Sequence, residues 1–300
     1  MTQKAGWLKD LSTAIDSEAH EGSTLDRIAR ALEIMAGTAE PLMPDWAASA
    51  YCWDGNHKTL RPAPSFKALP LDTLIGIERQ AEILEKNTQA FADGFSANNA
   101  LLWGSRGTGK SSLVKSVFQK ICKTAPSLHL IEIHKEDLSD LPLLVSRLGL
   151  ITDKRFILFI DDLSFESSDD RYKSLKSALE GSVDTHSTNI VVYATSNRRH
   201  LLPRRFEENE NTHLHPAEAA EENISLSDRF GLWLGFYPCD QATYLRMVET
   251  YARNFNLNQK DVIIEKLALE WAATRGTRSG RVAWQFIKHL AGQSMRQIDQ

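Results

Sequence analysis

The stretch that most constrains this chain is Gly104-Ser105-Arg106-Gly107-Thr108-Gly109-Lys110-Ser111. It reads G-x-x-x-x-G-K-S, the Walker A pattern of a phosphate-binding loop. Glycines let the backbone turn tightly, so that successive N–H groups converge on an anion. In such a loop the lysine reaches the β- and γ-phosphates and the following hydroxyl sits on Mg²⁺, roles that fall to Lys110 and Ser111. The context agrees with the pattern. Ala100–Trp103 is a short apolar run suited to a buried strand, and from Lys110 to Lys120 the apolar residues recur at 113, 114, 117 and 118, a helical spacing. Strand, glycine loop and helix come in the order the chemistry requires. The helix would aim its positive end at the same phosphates. The expected ligand set therefore runs from Gly104 through Ser112.

The rest of the chain supplies the sheet for such a loop. Leu128–Ile133, Phe156–Ile160, Asn189–Ala194 and Leu232–Tyr237 read as further strands, with helices expected at 79–92, 138–150 and 170–180. Near-continuous apolar strands alternating with helices mean a parallel sheet covered on both faces, here of five strands. After Pro238 the pattern is all helical, at about 240–254, 259–273 and 279–292. Residues 204–223 are polar and acidic and read as an insertion.

Ahead of this unit, Ser23-Thr24 can cap a helix carrying Leu25, Ile28, Ala29, Leu32 and Met35. Trp46, Tyr51 and Trp53 then form an aromatic cluster, read either as the core of a small module or as a partner surface. Residues 61–70, with three prolines, read as a linker. The expected organisation is an N-terminal module and linker over 1–70, a nucleotide-binding α/β domain over 71–238 and a helical lid over 239–300.

Ligands of open parallel sheets sit at the carboxyl ends of the strands. Asp161 follows five apolar residues, the Walker B arrangement for holding Mg²⁺. Asp162 is then placed to orient or deprotonate an attacking water, and Glu166 is the alternative for that role. Asn197 ends the next strand and could orient water or touch a phosphate. Arg229, just before the last strand, and Arg281, near the start of the last helix, are candidate phosphate ligands.

Composition excludes several other classes. A net charge of −4 over 300 residues argues against a purely electrostatic nucleic-acid coat, leaving a local basic patch possible. Cys52, Cys122 and Cys239 form no C-x-x-C pair, so neither a metal site nor a disulfide framework is suggested, and a reducing, cytoplasmic setting fits. The first twenty residues lack the apolar core of a signal peptide, and no apolar run is long enough to span a membrane.

Taken together, the loop, the strand ending Asp161-Asp162, the strand ending Thr195-Ser196-Asn197, the Asp228-Arg229-Phe230-Gly231 element and the Gly280-Arg281 pair resemble an AAA+ ATPase over about residues 71–292. The stretches FILFIDDLSFE, YATSNRRHLLP and SLSDRFGLWLGFYP are similar to a group of uncharacterised bacterial proteins considered AAA+ ATPases, with a domain of unknown function. The Arg-Phe-Gly element also resembles that of replication initiators and helicase loaders. The resemblance implies Asn197 as sensor 1, Arg229 as an arginine finger, and Arg281 as sensor 2 with Arg278 as its alternative. It also implies an adenine pocket along Leu74–Ile77, including Ile75 and Gly76. Two departures stand out. Most members have Asp-Glu where this chain has Asp161-Asp162. Threading unfoldases carry an aromatic-hydrophobic-glycine pore loop where this chain has His134-Lys135-Glu136-Asp137-Leu138.

The expected function is an ATP-dependent assembly switch, a homo-oligomer that hydrolyses ATP with Mg²⁺ between protomers and acts on a protein or nucleic-acid client. A nucleotide-dependent scaffold with little hydrolysis and a small-molecule kinase are the alternatives.

Overall fold

The structure is a computed structural model that describes residues 43–165, 169–180, 188–199, 201, 226, 228–255, 257 and 261–293, together with 28, 32 and 33. The helix expected near residues 23–37, the acidic insertion at 204–223 and Glu166 lie outside or almost wholly outside these residues.

The apolar runs identified above form the strands β3 (Ala100–Gly104), β4 (Leu128–Ile133), β5 (Arg155–Ile160), β6 (Ile190–Ser196) and β7 (Leu232–Phe236), following the hairpin β1 (Ala50–Asp54) and β2 (Thr59–Pro62). They make one seven-stranded sheet in the order β2-β1-β4-β5-β6-β3-β7. Every pairing is parallel except β1 with β2. Because all five core strands point the same way, their carboxyl tips line up along one rim, and the loop after β3 lies between its neighbours β6 and β7.

Alternate strand residues feed two separate cores. Leu101, Ile131, Leu158 and Val192 face one side, while Leu102, Leu130, Phe159 and Tyr193 face the other. The second side is closed by α1 (Glu78–Ala92), through Leu84 and Phe91, and by α2 (Lys110–Ile121), through Leu113, Val117 and Phe118. On the first side lie α3 (Leu141–Gly149) and α4 (Arg171–Glu180), which contribute Leu144, Leu148 and Leu175. Burial of such side chains is worth about 1.5–3 kcal/mol each, which fixes the register of the sheet and so the positions of its tips.

The last three helices, α5 (Gln241–Asn254), α6 (Asp261–Arg275) and α7 (Gly280–Gln293), close a third core around Tyr244, Val248, Ala268, Phe286 and Ile287. Asp240 caps α5 by accepting the Thr243 N–H at 2.8 Å. Ile75 packs against this helical core from the sheet domain.

The hairpin departs from the expected organisation. Residues 50–62 belong to the main sheet and not to a module ahead of it, and they raise the strand count from five to seven. The cause is an edge: without β1, the outer backbone of β4 would carry unpaired donors and acceptors. Tyr51 pairs with Ile131 in parallel register, and both Tyr51 and Trp53 turn into the core at 1% exposure. Trp53 Nε1 also donates to Asp140 Oδ2 at 3.0 Å. Pro62 is tolerated because β2 is the new edge. Residues 61–70 are not a free linker: Phe66 packs edge-on against Phe118, with ring centres 5.5 Å apart, and the Ala68 N–H bonds to the Gln119 side chain. The expected helix from 138 begins instead as a 3-10 turn, Lys135–Asp140, before α3.

Candidate functional site

The loop between β3 and α2 is shaped by its glycines. Gly104, Gly107 and Gly109 take φ values of 134°, 75° and 94°, conformations costly for other residues. Gly104 is doubly constrained, since a Cβ there would lie 1.9 Å from the Phe236 carbonyl oxygen of β7. That carbonyl accepts the Ser105 N–H at 3.1 Å. Thr108 Oγ1 donates to Ser105 O at 2.8 Å, tightening the loop. Arg106 is exposed at its crest, and Ser112 sits half-buried in the first turn of α2.

Lys110 lies within this loop and is only 7% exposed. Its Nζ donates to Gly104 O at 2.8 Å, to Ser105 O at 2.7 Å and to Asn197 Oδ1 at 3.2 Å. Burial pushes its amine below the ordinary lysine range; the carboxylates of Asp162 and Asp161 oppose this, while Arg281 and Arg106 add to it.

The carboxylates stand at the tip of β5. Asp161 Oδ1 accepts from Ser111 Oγ at 2.5 Å and from Thr195 Oγ1 at 2.5 Å. The Thr195 hydroxyl in turn accepts the Asp162 N–H at 2.9 Å. Asp162 takes a left-handed φ of 52°, unusual outside glycine and of the kind found where a site dictates backbone geometry. Its Oδ1 accepts from Asn197 Nδ2 at 2.5 Å. Asn197 therefore bridges the loop lysine and the second carboxylate. Ser111 and Asp161 offer hard oxygen donors of the kind that hold Mg²⁺ beside substrate phosphates. Among the described residues, no group of three or more His, Cys, Asp or Glu forms an all-protein metal cage.

A cleft of about 310 Å³ opens beside the loop, between the sheet domain and the helical tail, whose α5 and the start of α7 line it. Gly76, Ile77, Thr108, Thr243, Met247 and Gly280 are among its walls. Gly76 has a φ of 83°, and a Cβ there would sit 2.5 Å from Thr243 Cγ2, so a larger residue would intrude on the cleft's helical wall. Arg281 anchors α7 to the loop through its N–H, which donates to Gly107 O at 3.1 Å. The two arginines left open by the sequence separate here. Arg281 acts electrostatically on Lys110, whereas Arg278 acts on Cys239 and Asp240.

Arg229 is not part of this cluster. It precedes β7, and β7 starts beside Asn99, with Leu232 N–H donating to Asn99 O at 3.0 Å. The phosphate loop leaves at the other end, where Gly104 pairs with Phe236. Five residues of strand, about 17 Å, separate the two ends. Thr195 is the functional candidate that sequence reasoning missed. The sequence places it at a strand end, yet nothing local shows that its hydroxyl meets both carboxylate residues across the β5–β6 pairing.

The family described as "protein of unknown function (DUF815)" matches residues 46–294. No curated protein matches the sequence. Solved structures of similar fold include a point mutant of Thermotoga maritima RuvB, at 17% identity and TM-score 0.53 over 76% of this chain and 67% of that one. Domain III of the Thermotoga maritima replication initiation protein DnaA matches at 16% identity and TM-score 0.50, over 79% of this chain and 93% of that one. The Aeropyrum pernix Orc1 protein, solved in complex with DNA, matches at 16% identity and TM-score 0.51, over 76% and 65% of the two chains. At such identities the likeness concerns the fold: a mostly parallel α/β sheet with C-terminal helices, the AAA+ architecture.

Proposed function

The chain belongs to the family of unknown function DUF815, and we propose that it is an ATP hydrolase whose complete site forms between two copies of the chain. The observation that carries this reading is the joined set Ser111–Asp161–Thr195 and Lys110–Asn197–Asp162 at the glycine loop. A generic anion site needs the loop and the lysine alone; a paired carboxylate and amide beside them adds the means to handle a water.

ATP would lie with its base in the cleft walled by Gly76 and Ile77 and its phosphates on the N–H groups from Gly104 to Ser112. Lys110 would exchange its two carbonyl partners for phosphate oxygens. Mg²⁺, when bound, neutralises charge on the β- and γ-phosphates. Ser111 and Asp161 would hold it, directly or through water. Asp162, aimed by Asn197, would take a proton from the water whose oxygen attacks the γ-phosphorus as the bond to the bridging oxygen breaks, leaving ADP and phosphate. Arg281 would join the phosphates from the lid, residues 239–300. Arg229, at the far end of its own sheet, would serve a neighbour's γ-phosphate. Hydrolysis would then reset an assembly acting on a protein or nucleic-acid client in the cytoplasm.

One observation favours a second reading, a nucleotide-dependent scaffold with slow turnover. The Asp162 carboxylate is on a short side chain and already engaged by Asn197 at 2.5 Å, which limits its reach toward a water.

Lys110→Ala tests the site itself. ATP binding measured by isothermal titration calorimetry should be lost in a protein that still unfolds cooperatively, since the substitution removes the fixed charge on the phosphates. Affinity within a few-fold of the unsubstituted protein would contradict the assignment.

A further inference from the structure

Helix α7 presents a basic face without a carboxylate. From Trp271 to Gln293 the chain holds Arg275, Arg278, Arg281 and Lys288 and no Asp or Glu, in a sequence whose net charge is −4. Arg281, Gln285, Lys288, His289 and Gly292 recur at the spacing of one helical face, and all five are exposed. This is the local basic patch that the overall charge leaves open. The face starts at the glycine loop, where the Arg281 N–H bonds to Gly107 O, and runs outward along the helix.

Aromatic rings flank this face on both sides. Toward α5, Trp284 meets Tyr251 and Phe255 edge-on, with ring centres 5.5 and 5.2 Å away, and carries the Lys288 ammonium 5.6 Å from its own centre. Toward α6, Trp271 stacks on His289 with ring centres 4.8 Å apart and carries the Arg275 guanidinium at 4.7 Å. Both indoles keep part of their surface exposed. Arg275 and Lys288 are exposed, and among the described residues their counterparts are these rings and not carboxylates. A cation resting on a ring is held in place while its charge stays uncancelled. The exposed Lys86 of α1 shows the ordinary alternative, an ion pair with Glu82. At Gly276 and Gly292 an added Cβ would meet nothing within 4 Å, so the surface beside them is open.

We propose that this face of the helical tail is a seat for single-stranded nucleic acid. Arg275 and Lys288 would hold the phosphate backbone, Gln285 and His289 would add hydrogen bonds, and bases would meet the exposed parts of Trp271 and Trp284. Basic and aromatic side chains interleaved on one surface suit a strand whose bases are free to reach rings, whereas a duplex keeps its bases stacked inside. An anionic membrane would need apolar side chains beside the cations, and this face offers Gln285 and Gln293 instead. Arg281 is left to the nucleotide. The inference goes beyond the ATP site by naming the client, and because binding is measured without nucleotide it stands or falls separately from that site.

Fluorescence anisotropy of a labelled 30-nucleotide oligo(dT), titrated with the whole chain over a range of salt concentrations, tests it. Arg275→Gln and Lys288→Gln should each weaken binding several-fold, and together about tenfold or more. The slope of log affinity against log salt should become shallower by about 0.7 for each cation removed, a change that a merely structural role would not produce. Lys288→Arg should keep both affinity and slope. Lys86→Gln, on the sheet domain, should change neither, and Lys110→Ala should bind the strand as the unsubstituted protein does even where it has lost ATP. No binding at low salt, or substitutions at 275 and 288 that leave affinity and slope unchanged, would overturn the seat. An equal loss with Lys86→Gln would overturn it too, since the attraction would then belong to surface charge in general. A duplex of the same length bound more tightly than the strand would overturn the single-strand assignment. Vesicles rich in phosphatidylserine that bind the chain through Arg275 and Lys288, with the oligonucleotide left free, would make the face a membrane contact and also overturn the proposal.

Discussion

Thr195 donates its hydroxyl hydrogen to Asp161 at 2.5 Å while receiving the N–H of Asp162 at 2.9 Å, tying the tips of β5 and β6 together at the carboxylate pair. Thr195→Val should therefore free Asp161 to turn away from Ser111. The expected outcome is a several-fold higher Mg²⁺ requirement for phosphate release and a stability loss of about 1 kcal/mol. Thr195→Ser keeps both hydrogen bonds and should restore the Mg²⁺ titration, an outcome that loss of packing alone would not give.

Asp162→Asn should retain ATP and Mg²⁺ binding while hydrolysis falls about 10²-fold or more, since the amide cannot accept the water's proton. Asp161→Asn should act differently, shifting the Mg²⁺ titration. Phosphate release and nucleotide binding measured on the same preparations separate the two. Turnover abolished by Glu166→Gln and untouched by Asp162→Asn would move the base to Glu166.

The parts of this site legible in the sequence are those whose chemistry is local. Gly104–Ser111 is contiguous, and its glycines, lysine and hydroxyl announce themselves in order. Asp161 is visible because five apolar residues deliver it to a strand tip. Thr195 is not, since its role exists only where β5 and β6 pair, and a Thr-Ser-Asn strand end has many uses. The preference for Arg281 over Arg278 comes only with the resemblance; that the backbone N–H of Arg281 bonds to Gly107 O, setting the start of α7 on the loop, is not written in the sequence. The hairpin was hidden for another reason. Its first strand is only five residues long, with Tyr51 and Trp53 inward and Cys52 and Asp54 each following one of them, and the prolines after it suggest a linker. What draws it into the sheet is the open edge of β4, which no local pattern encodes.

His129 gives the fold an acid sensitivity. Its ring is 3% exposed, among Trp46, Tyr51 and Phe156, with Nδ1 3.1 Å from Ala48 O. Burial holds its pKa below the ordinary imidazole range. Above the unfolded-chain pKa, about 6.5, neither state is protonated and the ring adds no pH dependence. As the pH falls below that value, the unfolded chain takes up a proton that the folded chain refuses, so stability drops. Thermal unfolding between pH 8 and about 5.5 should show a shallower acid decline in His129→Asn than in the unsubstituted protein, whatever the offset between their curves. Parallel curves would mean that other groups set the acid limb.

One mixing measurement decides most directly whether the site is shared between copies. Lys110→Ala removes the nucleotide's charge partner and Arg229→Ala removes the group at the opposite end of β7. If the site is shared, each should be inactive alone, and an equimolar mixture should recover ATP hydrolysis, because some interfaces combine an intact loop with an intact arginine. Arg229→Ala should bind ATP normally, and hydrolysis per molecule of the unsubstituted protein should rise with its concentration. No recovery on mixing, together with turnover independent of concentration, would contradict the account and leave Arg229 outside the chemistry.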